Sequence, residues 1–364
     1  MFSDMRGMSM KKSDAADLKT QLLCCGIRLP EQLRKGRKGG AGPAGGKYMV
    51  IGSTLVNVPV YGAALKSPFS VKTVGSTYRM DDDTGSGSHE IHFIKDPHFY
   101  QLKTDGGIPY RKIALLHGRD CLATTIYQKC IRQRKTPCTF CGIELSLHYG
   151  TTVERKTPSD LAKVAEAAKK EGVSHITLTT GTPNEKDKGA LLLEACCTAL
   201  KNMDFPIHVQ LEPVERKYVE LLKNSGADTI GIHIETPDES VFGKVCPGKD
   251  FSAFKTAWRD AVDVFGENQV SSYVLVGLGE TDHAMSSGIE EMVRMGIIPY
   301  VVPFRPISGT PMARWPFPSF KAVKTHSCHA ARMMKEYGLN PFKNRAGCVR
   351  CGACSPVKDY SRTL

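Results

Sequence analysis

No apolar run in this sequence of 364 residues approaches the roughly 20 residues that a membrane-spanning helix requires. The opening MFSDMRGMSMKKSDAADLK has basic residues but neither an apolar core segment nor a small-residue cleavage site, which argues against a secretory signal. The interleaving of aromatic and basic residues typical of RNA-recognition modules is also missing. We therefore expect a cytoplasmic protein with no membrane partner, and nucleic acid is a less favoured partner than a small molecule.

Acidic residues are in short supply. The 37 Asp and Glu residues stand against 49 Lys and Arg residues, which gives a formal net charge of +12. Such an excess favours anionic partners, among them phosphates, carboxylates and nucleic acid. A solvated surface rich in lysine explains it equally well, so the charge alone leaves both interpretations open.

Cysteine, by contrast, is abundant. The chain has 13 cysteines, and an odd number without a secretory signal argues against a disulfide framework and for thiolate metal ligands. Seven of them fall in two tight groups, Cys121 to Cys141 and Cys348 to Cys354. These two groups are the first candidates for metal sites.

The first hundred residues combine a helix, a glycine-rich loop and short strands. Leucine spacing predicts a helical lead-in over 1–35, and Gly36–Gly46 follows as a connector or substrate-facing loop. The β-like runs are Tyr48–Val60, Phe69–Val74 and Glu90–Ile94. We interpret them as a small β-rich subdomain.

From about residue 110 strand, loop and helix alternate. The predicted strands are Leu122–Tyr127, His175–Thr180, Ile207–Leu211, Thr229–Ile234, Val270–Val276 and Tyr300–Phe304. The predicted helices are Pro158–Glu171, Lys188–Lys201, Val214–Asn224, Ser252–Phe265 and Glu290–Met295. This alternation implies parallel strands with right-handed crossovers. Because no G-x-G-x-x-G opens the first helix, an incomplete (β/α)6 barrel with its chemistry at the carboxyl ends of the strands is favoured over a dinucleotide-binding sheet.

The predicted α/β fold therefore has three parts. Residues 1–109 hold the amino-terminal helix, the glycine-rich loop and the β-rich subdomain. Residues 110–315 form the barrel, and residues 316–364 form a carboxy-terminal helix and a cysteine-rich extension.

Three cysteines lie just past the first predicted barrel strand. Thiolates from Cys130, Cys138 and Cys141 can hold three irons of a cubane cluster and leave the fourth iron open. The alternative is that Cys138 and Cys141 form half of a zinc site. The other half would be the distant pair Cys348 and Cys351, across a longer loop than zinc ribbons normally close. Cys121, at the other end of the same strand, is expected to be buried structure rather than a ligand.

This segment resembles the radical S-adenosylmethionine (radical SAM) superfamily, in which an aromatic such as Phe140 characteristically precedes the last cysteine. The usual superfamily pattern is C-x3-C-x2-C, whereas seven residues separate Cys130 from Cys138 here. The resemblance implies a [4Fe–4S] cluster at Cys130, Cys138 and Cys141 whose open iron chelates S-adenosylmethionine. It further implies reductive cleavage of that cofactor to a 5′-deoxyadenosyl radical that acts on a small substrate. It also implies oxygen sensitivity and an electron donor of flavodoxin or ferredoxin type.

Later segments strengthen this resemblance in the expected order along residues 121–311. Thr180, Gly181 and Thr182 stand where related enzymes bind the methionine amino group, and the contact would be through backbone groups. His233-Ile-Glu235-Thr is similar to the Asn-Leu-Asp-Thr of biotin synthase, which maps ribose binding onto His233 and Glu235. The segment that begins Val276-Gly277-Leu-Gly279 resembles the adenine-adjacent loop of biotin and lipoyl synthases.

The chain also resembles, in several features of its sequence, an uncharacterised radical SAM family that is encoded beside nitrilases in cyanide-assimilation gene clusters. The features that carry this resemblance are the segment RKGGAGP, the wide cysteine spacing and the terminal C-x2-C-G-x-C. The substrate is then expected to belong to the pathway of the neighbouring genes. Arg305 and the Gly39–Gly46 loop are the candidate substrate-facing groups.

Cys348, Cys351 and Cys354 repeat a ferredoxin-like C-x2-C-x2-C spacing, so we predict a second metal site there. An auxiliary iron–sulfur cluster and a zinc ion both fit the spacing. For zinc, a further ligand would come from His326, Cys328 or His329. Two rival functions stay open beside the small-molecule enzyme: a radical SAM enzyme that modifies RNA, and a non-catalytic zinc-stabilised module that binds nucleic acid.

Overall fold

The computed structural model describes residues 11–34, 46–83 and 87–364. The predicted substrate-facing loop therefore lies outside the described residues, except for Gly46, which opens the first strand. The described residues contain two β-sheets, one of five strands and one of seven. The domain boundaries at residues 109 and 315 stay a prediction.

The five-stranded sheet is antiparallel, in the order β2-β1-β5-β4-β3. Its strands are β1 (Gly46–Ile51), β2 (Thr54–Pro59), β3 (Phe69–Val74), β4 (Thr77–Asp82) and β5 (Ser88–Phe93). The predicted run Tyr48–Val60 is a hairpin of two strands, because Gly52 adopts φ 55° in the turn between them. Strand β4 was not predicted, since its sequence TYRMDD is mostly polar and only Met80 is fully buried.

The seven-stranded sheet is the curled half-barrel, in the order β12-β11-β10-β9-β8-β7-β6. Its strands are β6 (Leu115–His117), β7 (Cys121–Thr125), β8 (His175–Thr179), β9 (Ile207–Gln210), β10 (Thr229–Gly231), β11 (Val270–Val276) and β12 (Ile298–Pro303). The six strands β7 to β12 pair in parallel and coincide with the six predicted strands. Strand β6 was not predicted and runs antiparallel to β7. The α/β fold with an incomplete barrel is thus confirmed.

The α-helices of the described residues include the five that were predicted between barrel strands. In chain order they are α1 (Lys12–Cys25), α2 (Glu31–Arg34), α3 (Arg132–Lys135), α4 (Leu145–His148), α5 (Pro158–Lys169), α6 (Ala190–Leu200), α7 (Arg216–Asn224), α8 (Glu239–Val245), α9 (Ala253–Phe265), α10 (Asp282–Arg294), α11 (Phe320–Glu336), α12 (Gly347–Cys351) and α13 (Val357–Ser361). Short 3-10 helices span Gly62–Lys66, His98–Gln101, Tyr110–Lys112, Lys201–Met203 and Pro341–Lys343. Helix α10 begins well before the predicted Glu290, because Thr281 Oγ1 accepts a hydrogen bond from Ala284 N and caps it.

The barrel strands separate an apolar face from a polar one. Leu122, Ile176, Val209 and Ile230 are fully buried in the core between the sheet and its helices. The residues that alternate with them are largely polar, and they contact the carboxy-terminal segment inside the curve of the sheet. The interior of the barrel is therefore a polar space that α12 enters.

The two ends of the chain pack together. Helix α13 contacts α1 and α11, α11 contacts β12, and α12 contacts β8 and β9. Within the described ranges, no helix is both long enough and apolar enough to cross a membrane.

Candidate metal and cofactor site

The loop that follows β7 gathers three thiols. Cys130 N donates to Glu144 Oε1 at 3.2 Å, and Cys141 N donates to Cys138 O at 3.1 Å, which closes a tight turn. Burial raises the pKa of Cys141 to about 12, and Cys138 and Cys130 add to that rise. Phe140 packs partly buried against the barrel core. The three predicted cluster ligands are therefore neighbours beyond the carboxyl end of β7.

A fourth cysteine adjoins this loop, which the sequence did not indicate. Cys246 directly follows α8, and Thr139 N donates to Val245 O at 2.9 Å, which ties the end of α8 to the thiol loop. A hydrogen bond from Cys246 lowers the pKa of Cys138, although burial opposes this. The thiolate form of Cys138 is thus favoured by a neighbour more than 100 residues away in the sequence.

Lys249 is the cation of this site. Its ammonium lies 3.6 Å from Glu235 Oε1, and the two side chains are only 12% and 14% exposed. Burial works against its charge, but attraction to Glu235, Cys138, Cys246 and Glu212 raises the pKa of Lys249. Lys249 therefore stays protonated between the thiol loop and the end of β10.

The turn after β8 lies directly against the thiol loop. Gly181 N donates to Tyr127 O at 2.8 Å, and Thr180 Oγ1 donates to Gly181 O at 2.7 Å. A Cβ atom on Gly181 would lie 2.1 Å from Lys129 O, so only glycine allows this approach. The predicted Thr180–Thr182 segment is thus held beside the three thiols.

Glu212, which follows β9, links that turn to the thiol loop. Its carboxylate accepts hydrogen bonds from Thr182 Oγ1 at 2.7 Å and from Arg132 Nη2 at 3.0 Å. Lys188 lies 3.9 Å from the same carboxylate. Sequence reasoning missed Glu212 because a single acidic residue after a strand carries no signal of its own.

The residues after β10 adopt an unusual backbone. Glu235 has φ 69°, a left-handed conformation that costs energy for a residue other than glycine and that concentrates at functional sites. Its N–H donates to Tyr273 O, and its carbonyl accepts from Leu275 N at 2.7 Å. His233 stacks on Tyr273, with ring centroids 3.9 Å apart. Both predicted ribose-binding residues are therefore held rigidly against β11.

The glycine loop after β11 is also held in a left-handed form. Gly277 and Gly279 have φ 107° and 105°, and the Glu280 carboxylate accepts from Gly277 N and Leu278 N, both at 2.7 Å. Trp315 Nε1 donates to Gly277 O at 2.8 Å, and its ring is 45% exposed. The exposed indole of Trp315 thus lies over the predicted adenine-adjacent loop. The sequence did not single out this residue.

The carboxy-terminal cysteines lie inside the barrel. Gly347, at the start of α12, lies so close to His208 that a Cβ atom there would be 2.3 Å from the ring. Cys348 Sγ then accepts a hydrogen bond from Tyr273 OH at 2.7 Å and lies 3.7 Å from Gln210 Nε2. Burial raises the pKa of Cys348 to about 11, and Cys354 contributes to that rise.

Cys354 lies where the β1–β2 hairpin meets the barrel. Asn57 Nδ2 donates to Cys354 Sγ at 3.4 Å, and Asn57 N donates to Ala353 O at 2.9 Å. The Arg305 guanidinium donates to Asn57 O, and its Nε is buried with no hydrogen-bond acceptor in the described part of the chain. No carboxylate of the described residues forms an ion pair with Arg305. This cation therefore faces the hairpin and Cys354.

The histidines suggested as zinc ligands point elsewhere. His326 Nε2 lies 3.1 Å from Asp282 Oδ1, and His329 Nε2 lies 3.2 Å from Ser286 O, so both rings face α10. Cys328 packs against the contact between α1 and α13. Across the described ranges, no three His, Cys, Asp or Glu side chains converge on a point that would hold a single metal ion. A cubane binds each thiolate through a different iron, so its ligands need not converge in this way.

One cavity of the protein lies apart from these groups. It measures about 390 Å³ and is lined by α1, the start of β3 and residues 317–320, including Cys24, Phe69 and Phe317. None of the predicted site residues lines it.

The comparison with protein families agrees with the half-barrel fold. Residues 125–291 match the family described as the radical SAM superfamily. An α/β half-barrel of this kind is consistent with the partial TIM barrel of this class of enzymes. The chain therefore contains a radical SAM domain.

Individual relatives are distant. The chain is 26% identical over 207 residues to bacteriochlorophyllide c C-7(1)-hydroxylase of Chlorobaculum limnaeum, a match that covers 50% of this chain and 51% of the relative. It is 25% identical over 210 residues to an uncharacterized protein of Methanocaldococcus jannaschii, covering 54% and 52%. Among solved structures, methylornithine synthase has a TM-score of 0.49 at 17% identity, covering 66% of this chain and 72% of that one. The chain thus spans about half the length of the curated relatives.

Proposed function

We propose that this protein is a radical SAM enzyme that acts on a small substrate, with Cys130, Cys138 and Cys141 holding a [4Fe–4S] cluster. The observation that carries the proposal is the meeting of three thiols with Lys249 and Glu235 beyond the carboxyl ends of the barrel strands. In barrels of this kind the chemistry occurs at that edge. An electron donor of flavodoxin or ferredoxin type would supply the reducing equivalent.

When bound, the cluster and S-adenosylmethionine supply reductive cleavage of a C–S bond and the 5′-deoxyadenosyl radical. The protein's own residues bind and orient that cofactor. Glu235 would accept hydrogen bonds from ribose hydroxyls beside His233, and the backbone of Thr180, Gly181 and Thr182 would receive the methionine end. Gly277 and Gly279 would leave room for the adenine, and Trp315, whose Nε1 donates to Gly277 O, would cover it from the solvent side.

The substrate is proposed to bind in the polar interior of the barrel. His208 Nε2 and His233 Nε2 are buried there with no hydrogen-bond partner among the described residues. A buried polar atom without a partner costs about 1–3 kcal/mol, which a polar ligand recovers by bonding to it. A Cβ atom on Gly231 would lie 3.0 Å from His233 Nε2 and 3.1 Å from His208 Nε2, so both nitrogens lie beside the backbone of Gly231. These two unpartnered nitrogens are the groups proposed to bind a small polar substrate.

We also propose an auxiliary iron–sulfur cluster at Cys348, Cys351 and Cys354. Tyr273 OH and Asn57 Nδ2 donate to these sulfurs, the kind of donors that stabilise thiolates around a cluster. Arg305 supplies a buried positive charge beside Cys354, and an anionic cluster would compensate it. A single zinc ion fits the cysteine spacing but not the described side chains, which do not converge on one point, and the metal content of the purified protein distinguishes the two.

The test is anaerobic reconstitution of the wild type and of a variant in which Cys130, Cys138 and Cys141 are all replaced by Ala. The wild type should hold about four irons at the first site and more if the auxiliary site is filled. The variant should lose the spectral change on addition of S-adenosylmethionine and all production of 5′-deoxyadenosine, while iron at the auxiliary site remains. Unchanged iron content in the variant contradicts the assignment of these ligands.

A matched control uses cysteines away from both sites. Cys196 and Cys197 are buried on α6, and replacing both by Ala should leave iron content and cofactor cleavage unchanged. Loss of iron in this control would show that the cysteine count, and not the thiol loop, determines cluster content.

A further inference from the structure

Cys121 lies at the amino end of β7 and points into the barrel. It is 2% exposed, and its Sγ lies 3.3 Å from Thr177 Oγ1 on the neighbouring strand β8. Thr177 is on the same face of β8 as His175, whose Nδ1 accepts from Gly347 N at 3.1 Å. Cys121 is therefore on the side of the sheet that faces α12 and the carboxy-terminal cysteines.

The turn that precedes Cys121 touches one of those cysteines directly. Gly118 has φ 62°, and a Cβ atom on it would lie 2.6 Å from Cys351 Sγ. In the β6–β7 hairpin His117 pairs with Cys121, so Gly118 and Cys121 sit at the same end of the hairpin. Burial raises the pKa of Cys121, and the nearby Cys351 and Cys348 raise it further. Four thiols thus share one region of the interior.

We propose that Cys121 is the fourth protein ligand of the auxiliary cluster, which is then held by Cys121, Cys348, Cys351 and Cys354. This inference rests on the auxiliary cluster proposed above. Four cysteine thiolates are a complete ligand set for a [4Fe–4S] cluster. Such a cluster has no open iron, so the substrate is bound by protein side chains and not by this metal site.

The surrounding charges suit a fourth thiolate. Each added thiolate increases the negative charge of the site, and the cations beside it are Arg305 at Cys354 and Lys358 at Cys351. Lys358 Nζ is held in place by the carbonyl of Arg350, which lies in α12, at 2.8 Å. Thr177 Oγ1 is placed to donate to the Cys121 sulfur. The fourth ligand is therefore provided with the same kind of hydrogen-bond donor as Cys348 and Cys354.

The test isolates the auxiliary site. In the variant lacking Cys130, Cys138 and Cys141, anaerobic reconstitution should give about four irons per chain. Mössbauer spectra should show that each of these irons has a cysteine ligand. Adding Cys121→Ala to that background should reduce the iron to about three per chain or fewer, and an EPR signal of a three-iron cluster should appear. Adding Cys196→Ala, a buried cysteine on the outer face of the barrel, should change neither result.

The outcomes separate the two proposals. Four irons and an unchanged spectrum after Cys121→Ala overturn Cys121 as a ligand and leave the auxiliary cluster standing. Absence of iron in the background variant, or zinc in its place, overturns the auxiliary cluster itself and with it this inference. Thermal unfolding of the metal-free proteins excludes misfolding as the cause of iron loss, because Cys121→Ala and Cys196→Ala should then unfold within a few degrees of each other.

Discussion

At the scale of single residues, two buried imidazoles show how hydrogen bonds and burial set a protonation state. Tyr273 N donates to His233 Nδ1 at 3.1 Å, so the neutral ring carries its proton on Nε2. His208 Nδ1 lies 2.7 Å from Thr229 Oγ1. Burial lowers the pKa of His208 to about 3. The pKa of His233 is lowered mainly by burial and secondly by repulsion from nearby His208. Both rings are therefore neutral at neutral pH and present Nε2 to the interior.

These histidines predict acid sensitivity of the metal-free fold. The unfolded chain takes up a proton on each histidine near pH 6.5, whereas folded His208 does so only near 3, so stability rises with pH across that window. The contribution is fully present above the unfolded pKa and is lost as the pH falls towards the folded one. Between about pH 7 and 5.5 each such histidine should cost roughly 1 kcal/mol of unfolding free energy, measured by urea titration. His208→Gln should show a shallower pH dependence than the wild type, and equal slopes would contradict the assignment.

Glu235 predicts the strength of cofactor binding. Glu235→Gln keeps the shape of the side chain and removes its charge, so the reconstituted protein should bind S-adenosylmethionine about 1–3 kcal/mol more weakly by calorimetric titration. The control is Glu239→Gln, on the exposed face of α8, which should bind like the wild type. Normal affinity in Glu235→Gln would mean that another residue receives the ribose.

At the scale of elements, Asp238 joins three parts of the cofactor edge. Its carboxylate caps α8 by accepting from Val241 N at 3.2 Å, and it also accepts from Thr281 N at 3.2 Å before α10. Helix α8 in turn ends at Cys246, beside Cys138. One carboxylate thus positions a helix that reaches the thiol loop.

Replacing that cap should weaken the fold locally. Asp238→Ala is expected to lose about 1–2 kcal/mol of unfolding free energy, because a capping acceptor and a link between two helices disappear together. Asp238→Asn retains a capping oxygen and should lose less than half as much. Chemical denaturation of the three proteins measures this, and equal stability of Asp238→Ala and the wild type would show that the cap contributes nothing.

Elements were predictable to different degrees. The six parallel strands and the helices α5, α6, α7 and α9 follow from hydrophobic periodicity, which local sequence carries. Strand β4 could not be predicted from its sequence, because pairing with β3 and β5 stabilises it rather than burial of its own apolar residues. The early start of α10 could not be predicted because the segment HAMSSG has weak apolar periodicity. The first turn of this helix depends instead on the Thr281 cap.

At the scale of the whole molecule, one buried ion pair ties the two ends of the chain. Lys19 Nζ on α1 lies 2.6 Å from Asp359 Oδ2 on α13, and the side chains are 3% and 10% exposed. The same ammonium donates to Gly352 O at 2.7 Å, between Cys351 and Cys354. The amino-terminal helix therefore holds the cysteine-bearing segment in place.

Breaking this pair should affect both stability and the auxiliary site. Lys19→Met leaves Asp359 with only the more distant and half-exposed Arg362, at 3.7 Å, as a cationic partner, so the unfolding free energy should fall by up to about 3–5 kcal/mol. Auxiliary iron should be lost more readily to a chelator, while iron at the Cys130 loop is retained. Adding Asp359→Asn to Lys19→Met should recover part of the stability, because the buried carboxylate that has lost its Lys19 partner is then neutral. Full stability of Lys19→Met alone would contradict the role of this pair.

The sequence by itself determined the fold class, the order of the barrel strands and the candidate ligands that lie close together in the chain. Periodicity reports which face of a strand or helix is buried, and the spacing of cysteines within one loop reports which thiols can share a cluster. The predicted roles of Cys130, Cys138, Cys141 and the carboxy-terminal cysteines rest on such local patterns and stay predictions.

Only the tertiary structure decided which distant residues meet. Cys246 and Lys249 join the thiol loop, Trp315 covers the glycine loop, and Cys121 lies near Cys351 inside the barrel. These pairs are separated by tens to hundreds of residues, and each partner is ordinary within its own segment. Contacts of this kind arise because parallel strands bring the ends of remote segments to one edge and because α12 returns into the interior. A local pattern cannot carry that information, since it depends on how the whole sheet closes.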